Sequence, residues 1–307
     1  MSALYPGAVA TRERAPDPNV PGDVEVDAAT HEGPRPTPSP APAPSRARPA
    51  RRLGPGRRRR GARALGPLIV LALWTLGSGV GVLDPRTLPA PWTVVATSSN
   101  LWTQGTLVTD LTTSATRAFW GFLIGLTVGV VLAVLAGLSR WGEATVDGTV
   151  QLARSIPTLG LIPLIILWLG IGELFKISII AVVVMIPIYL NLYAALSNID
   201  NRYVELAETI RLSRWQFLRT VVVPGALPGF FVGLRLGVTG SWLALVVLEQ
   251  INATNGLGYL MFQAQNYGRV DIILVGLTIY ALLGLASDFA VRLIERRVLS
   301  WQQTLAG

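Results

Sequence analysis

Cysteine is absent from the 307 residues, and histidine occurs once, at His31. No disulfide framework, thiolate nucleophile or cysteine-ligated metal site is therefore available. A single histidine with no partner close in sequence supplies neither a zinc site nor a serine–histidine triad. Charge is also scarce: 14% of residues are charged, against about a quarter in soluble domains. Lysine occurs only at position 176, after Phe175, so the Gly-x-x-x-x-Gly-Lys-Ser/Thr loop that cradles nucleotide phosphates is missing. The chain cannot bind and hydrolyse ATP by that route, and nothing in it calls for a cofactor. What remains is apolar, at 51% hydrophobic residues and a mean hydropathy of +0.48. A water-soluble enzyme is excluded.

The few charges are unevenly placed. Residues 1–64 hold 12 of the 26 basic residues and 6 of the 18 acidic ones, whereas residues 65–307 are close to balance. The first segment is rich in Pro, Ala, Arg and Gly, and buries too little apolar surface to offset the entropy of ordering it. It is expected to be a disordered tail rather than a secretory signal, because its apolar stretch starts only at Leu65. The run Arg57 to Arg60 with Arg63 admits a nucleic-acid reading. Beside a hydrophobic span, arginines that hold one end of a membrane helix in the cytoplasm and touch anionic lipid are the better reading.

From Leu65 onward six apolar segments approach the roughly 20 residues that a bilayer-spanning helix needs. They run over Leu65–Leu83, Ala118–Leu138, Ile156–Ile171, Ile177–Leu196, Gly229–Leu248 and Ile272–Ala290. The chain is thus expected to be an all-α, polytopic membrane protein with six transmembrane helices and both termini on one side. That side would receive the arginine tail, Arg140, Arg154, Arg202, Arg211, Arg214, Arg219, Arg296 and Arg297. The other receives Arg86, Lys176 and Arg269 in its loops, with Arg117 at the mouth of the second span. The asymmetry places both termini in the cytoplasm.

Two spans stand out. The second carries Gly121, Gly125, Gly129, Ala133 and Gly137, a small residue at every fourth position, which lets helix backbones approach closely in lipid. The third is short and holds Pro157, Gly160, Pro163 and Gly170. It is either a pathway wall built from an interrupted helix or a merely kinked span.

The stretch 198–228, NIDNRYVELAETIRLSRWQFLRTVVVPGALP, is too polar to span and too patterned for a passive linker. Tyr203, Leu206, Ala207 and Ile210 give a short helix one apolar face, with Asp200 or Asn201 as N-cap. Ser213 followed by Gln216 signals a capping box opening a second helix. Two such helices make either a docking surface or a hairpin lying on the bilayer.

This loop resembles the signature of bacterial ABC-importer permeases: Glu-Ala-Ala, three residues, Gly, nine residues, Ile, one residue, Leu-Pro. The chain has Glu205-Leu206-Ala207, then position 211, then Val221, Val223 and Pro224 at that spacing. The stretches LARSIPTLGLIPLIILWLGIGEL, LSRWQFLRTVVVPGALPGFFVGLRLGVTGSWLALVVLE and NATNGLGYLMFQAQNY also resemble permeases of the nitrate/taurine/sulfonate type, above all those for aliphatic sulfonates. The similarity covers roughly residues 88–301. One departure is that the family's glycine falls at Arg211, where a left-handed turn costs a non-glycine residue about 1 kcal/mol or more.

The resemblance implies a type I ABC-importer permease fold over residues 65–307 and a role as a non-catalytic transport subunit. It implies a homodimer with a second permease copy, two copies of an ATP-binding ABC subunit, an extracytoplasmic substrate-binding protein, surrounding membrane lipid and no nucleic acid. Glu205, Ala207, Arg211, Leu212, Ser213 and Pro224 would form the contact with the ATPase. The expected cargo is an aliphatic sulfonate or taurine, with nitrate, bicarbonate or a vitamin precursor as alternatives; an ion-driven carrier or channel is the reading from another class. Within the spans, Arg235 faces a pathway as an anion-attracting cation, or else snorkels or pairs structurally. Glu249 meets a binding protein, lines an outer gate, or is a solvated acid at the rim. Asp288 and Arg292 form a structural pair at i, i+4, while Trp242 is a pathway candidate that, like Tyr280, is also read as packing.

Overall fold

The computed structural model describes residues 62–301, and every regular element among them is helical. The expected disordered tail, with its run Arg57 to Arg60, lies almost wholly outside the described residues. Four helices are long and apolar enough to cross a membrane: α3 (Thr106–Leu138), α6 (Glu173–Ser197), α8 (Arg214–Gln250) and α10 (Val270–Val298). Preceding them are α1 (Ala62–Gly79) and α2 (Pro91–Thr103). The remainder are α4 (Arg140–Ser155) and α5 (Ile162–Leu169) in one bent unit, the short α7 (Asn201–Thr209) and α9 (Leu257–Asn266).

The expected count of six spans is not confirmed by helix length and composition among the described residues. The apolar part of α1, Leu65–Gly79, is shorter than a full span. The third expected segment, Ile156–Ile171, is not one helix: α4 and the helical stretch Thr158–Leu169 meet at 88°. The cause is local. Pro157 pushes the preceding residue out of the helical region, and Ile156 sits at φ −88°, ψ 125°. At about 1.5 Å per residue, α5 reaches only about 12 Å and cannot cross a roughly 30 Å hydrocarbon layer alone. Counting the bent pair once gives up to five spans among the described residues. Conversely, α3 begins twelve residues before the expected Ala118 and runs about 50 Å. Neither α2 nor α9 was expected.

The core is organised around α6. Phe175, Ile179, Ile180, Val184, Ile188 and Tyr189 on it are fully buried, because α3 and α8 pack on either side. The glycine ladder of α3 is the reason on one side. A Cβ at Gly121 would lie 2.5 Å from Ile180, and one at Gly125 would run into the Ala181 carbonyl and sit 2.8 Å from Val184. A second ladder, Gly229, Gly233 and Gly237 on α8, does the same from the other side. A Cβ at Gly233 would lie 2.8 Å from the Pro187 carbonyl and 2.9 Å from the Ile188 Cα. Association in lipid rests on such close approach. Elsewhere the large apolar side chains of α1, α3 and α10 point outward: Leu73, Phe119 and Leu285 are more than half exposed. Such a surface suits hydrocarbon rather than water.

Candidate functional site

Polar residues collect at two places, one at each end of the α3–α6–α8 core. At the first, α7 opens with Asp200, whose carboxylate accepts the Arg202 N–H at 2.9 Å as an N-cap. Its closing turn is a Schellman motif: the Leu212 N–H reaches the Ala207 carbonyl at 2.9 Å, and the Arg211 N–H reaches that of Glu208 at 3.1 Å. The motif requires a left-handed residue where glycine is usual, and Arg211 occupies it at φ +53°. The strain foreseen for Arg211 is therefore adopted rather than avoided. Ser213 and Gln216 complete the expected capping box, the Ser213 N–H donating to Gln216 at 2.9 Å. The helix that follows widens into a π-turn at Leu218–Val222, just before Pro224, whose ring would clash with the carbonyl four residues back in a regular α-helix.

Not all of the loop residues face the same way. Glu205, Arg211 and Ser213 are exposed, Leu212 and Pro224 are half-buried, and Ala207 is buried within its own chain. Ala207 thus props the loop from inside. The apolar residues that lie open include Tyr203, Leu206, Ile210 and Trp215, each more than half exposed.

The opposite end holds a buried lattice of charges. Glu249, near the end of α8, is wholly inaccessible. Its carboxylate accepts Arg117 NH1 at 2.7 Å, the Gly258 N–H at 2.9 Å and the Tyr280 hydroxyl at 3.0 Å, and lies 2.8 Å from the Ser114 hydroxyl. The first backbone donors of α9 are taken up in turn: the Gly256 N–H by Asp110 at 2.8 Å, the Leu257 N–H by Ser114 at 2.9 Å, and the Gly258 N–H by Glu249. Helix N-termini carry unsatisfied donors and partial positive charge, so three acceptors here complete α9. Gly256 sits at φ +125°, and a Cβ there would fall on the Glu249 carboxylate.

Arg117 is the hinge of the lattice. Its NH1 also donates to the Asn255 carbonyl at 2.7 Å, while its other edge forms a two-pronged pair with Glu173, NH2 to Oε1 being 2.7 Å. Lys176 donates to the same Glu173 oxygen at 3.2 Å. Arg117 and Lys176 are 5% and 2% exposed, but Glu173 is 55% exposed and stands in a cavity of about 440 Å³. Lys176 and Arg117, expected in a loop and at a span's mouth, both belong to this interior.

The expected pathway residues fare differently. Glu249 is not a solvated rim acid. Arg235 is ion-paired with Glu295 and lies 3.3 Å from Asp288, which also holds Arg292 at 2.6 Å. It bridges α8 to α10, the structural alternative. Trp242 donates its indole N–H to Ser287 at 3.1 Å and meets Tyr280 edge-on at 6.4 Å. Asp110, Ser114 and Glu173 are not among the site residues expected from sequence. The signal was present, since Asp110, Ser114 and Arg117 recur at i, i+4, i+7, one polar stripe on an apolar helix.

Residues 125–300 match the family model described as binding-protein-dependent transport system inner membrane component. The chain is 42% identical over 235 residues to SsuC of Escherichia coli, named for aliphatic sulfonates transport, covering 76% of this chain and 89% of that protein. Identity is 35% over 255 residues with the Bacillus subtilis SsuC, covering 82% and 92%. With TauC of Escherichia coli, a taurine transport system permease, it is 29% over 238 residues, covering 76% and 86%. A crystal structure of an amino acid ABC transporter with histidines shares the fold at TM-score 0.55 and 17% identity, covering 65% of this chain and 97% of its own.

Proposed function

The chain belongs to the family of binding-protein-dependent transport system inner membrane components, and on that premise we propose that it carries an aliphatic sulfonate. It is a multi-pass, all-helical transport subunit of the ABC permease type. The observation that carries the cargo is the similarity to SsuC of two bacteria over about nine-tenths of each. Taurine, itself a sulfonate, is the neighbouring reading, supported by the lower identity to TauC.

In this reading two ATP-binding subunits supply the energy, a second copy of the chain completes the pathway, and an extracytoplasmic binding protein delivers cargo. Both termini and the segment 198–228 lie in the cytoplasm, and residues 1–64 form the tail ahead of the permease domain. The coupling contact is the exposed side of that loop: Glu205, Arg211, Leu212 and Ser213, joined by Tyr203, Leu206 and Ile210. Tyr203 and Leu206 on this short helix, with Ile210 just past its end, leave an exposed apolar patch that favours a protein partner. Ala207 supports the contact from beneath, and Pro224 fixes where α8 leaves it.

The test is reconstitution of the chain with its ATPase subunit in proteoliposomes, with binding protein outside and ATP inside. Labelled ethanesulfonate should accumulate, and excess unlabelled sulfonate should compete while nitrate does not. Accumulation of nitrate but not of any sulfonate refutes the cargo. Uptake that follows an ion gradient and ignores ATP refutes the importer.

A further inference from the structure

Arg117 has two edges with different surroundings. Its NH1 side is held at depth by Glu249 and the Asn255 carbonyl, and Glu249 has further donors that keep it in place. Among the described residues, its Nε/NH2 edge meets only Glu173. Lys176, equally buried, likewise has Glu173 as its ion-pair partner. The one acid among the described residues that pairs with both cations is also the most exposed acid of the lattice, at 55%, and it stands at the wall of the cavity.

Buried cations left without a counter-charge are costly, so this position requires an anion. Nothing in the geometry requires that anion to belong to the protein. Glu173 is also an imperfect occupant. It offers two oxygens to three donor groups, so Oε1 serves both Arg117 NH2 and Lys176 Nζ, the latter at a longer 3.2 Å. A sulfonate offers three oxygens, one for each donor, and guanidinium suits such oxyanions in paired geometry. A cavity of about 440 Å³ accommodates a small organic anion.

We propose that Glu173 is a built-in stand-in for the cargo: an alkanesulfonate entering this cavity displaces Glu173 from the Nε/NH2 edge of Arg117 and from Lys176. The inference rests on the anionic cargo of the proposed function and deepens it, naming Arg117 and Lys176 as the groups that bind the sulfonate. No bond is made or broken; one ion pair is exchanged for another. The inner edge of Arg117 stays on Glu249, so the cation remains aimed while its partner changes.

The test is binding of labelled ethanesulfonate to the permease–ATPase complex in lipid nanodiscs, without binding protein. Glu173→Gln removes the competing charge and leaves two cations under-compensated, and should tighten binding at least tenfold. Adding Arg117→Lys to Glu173→Gln should abolish the gain, because the paired edge is lost; Lys176→Gln in the same background should halve or better the gain if the Arg117 variant does not assemble. Ethyl methyl sulfone, a neutral probe, should bind no better to any variant. Affinity of Glu173→Gln within twofold of the parent, or an equal gain for the sulfone, overturns the proposal. ATP-driven ethanesulfonate uptake by the parent complex, run in parallel, separates the two readings. Uptake without a gain in Glu173→Gln refutes this inference alone, and no sulfonate uptake refutes the functional reading and this inference with it.

Discussion

Glu249→Gln and Glu173→Gln make the same chemical change to two partners of the same guanidinium, and their effects should differ severalfold. Glu249 is 0% exposed, and its carboxylate gathers Arg117, Ser114, Gly258 and Tyr280. Removing its charge leaves Arg117 poorly compensated at depth, and breaking a buried pair costs about 3–5 kcal/mol. An amide also turns one acceptor into a donor facing donors; the Ser114 and Tyr280 hydroxyls can rotate to accept, so the lower end, about 3 kcal/mol, is expected. Arg117 and Lys176 are buried, but Glu173 is 55% exposed, so water and buffer anions reach the position it vacates, supply the anion that position requires, and hold the loss to about 1 kcal/mol. For a domain of this size about 1 kcal/mol lowers Tm by about 2–4 °C. Glu249→Gln should therefore unfold about 6–12 °C below the parent, and Glu173→Gln no more than about 4 °C below. The assay is tryptophan fluorescence during thermal unfolding in detergent micelles. Equal shifts in the two variants, or a Glu249→Gln shift under about 2 °C, would refute the claim that depth decides the strength of this lattice.

Three other outcomes are expected. Gly125→Ala drives a methyl into the Ala181 carbonyl and the Val184 side chain; forced repacking should cost about 1–3 kcal/mol, read as a lower Tm, whereas Gly148→Ala, with open space around it, should shift Tm little. Arg211→Gly relieves a left-handed residue at φ +53° and should stabilise the loop by about 1 kcal/mol, measured as slower amide exchange across residues 205–213; faster exchange would contradict the strain argument. Reporter fusions after Ser197 and after Gly268 should report opposite compartments, cytoplasmic for the first, and matching compartments would overturn the proposed orientation.

The parts of the fold legible beforehand were those that depend on one helix at a time. The glycine ladder at Gly121, Gly125 and Gly129 is a period-four pattern, and the structure places it where such a pattern packs, on α6. The capping box at Ser213 is likewise local chemistry. Gly229, Gly233 and Gly237 form a second period-four ladder in the sequence, and the structure shows that it too packs on α6. What hydropathy missed is what hydropathy averages away. The start of α3 at Thr106 is polar, so counting apolar residues opened the span at Ala118 and left Asp110, Ser114 and Arg117 outside it. The sequence leaves the segment around Pro157 open between an interruption and a kink, and local pattern cannot show the 88° corner that denies α5 a crossing of its own. The lattice was illegible for a different reason: its partners come from positions as far apart as Asp110 and Gly256, or Arg117 and Glu249. Arg235 illustrates the point, since nothing near it in sequence foretells Asp288 and Glu295.

These features together bear on how a pull at one end could be felt at the other. Between Gly121 and Gly129 on one side and between Gly229 and Gly237 on the other, the neighbouring helices approach α6 closely enough that an added Cβ would meet its backbone. Interfaces so close repack between discrete arrangements rather than yield gradually. Deformation therefore concentrates where the packing is interrupted. The π-turn at Leu218–Val222 lies between the proposed coupling loop and the tightly packed part of α8, and π-turns are common at functional sites. At the far end, rigid motion of α6 relative to α3 would act directly on the bond between Glu173 and Arg117, because Glu173 is the first residue of α6 and Arg117 is anchored through Glu249 to α8. The half-exposed pair is the weakest link of the lattice and the one placed across that boundary. A displacement at the loop that moves α6 as a body would thus open the Arg117 edge without disturbing Glu249. The same arrangement that makes Glu249 structural leaves Glu173 free to exchange.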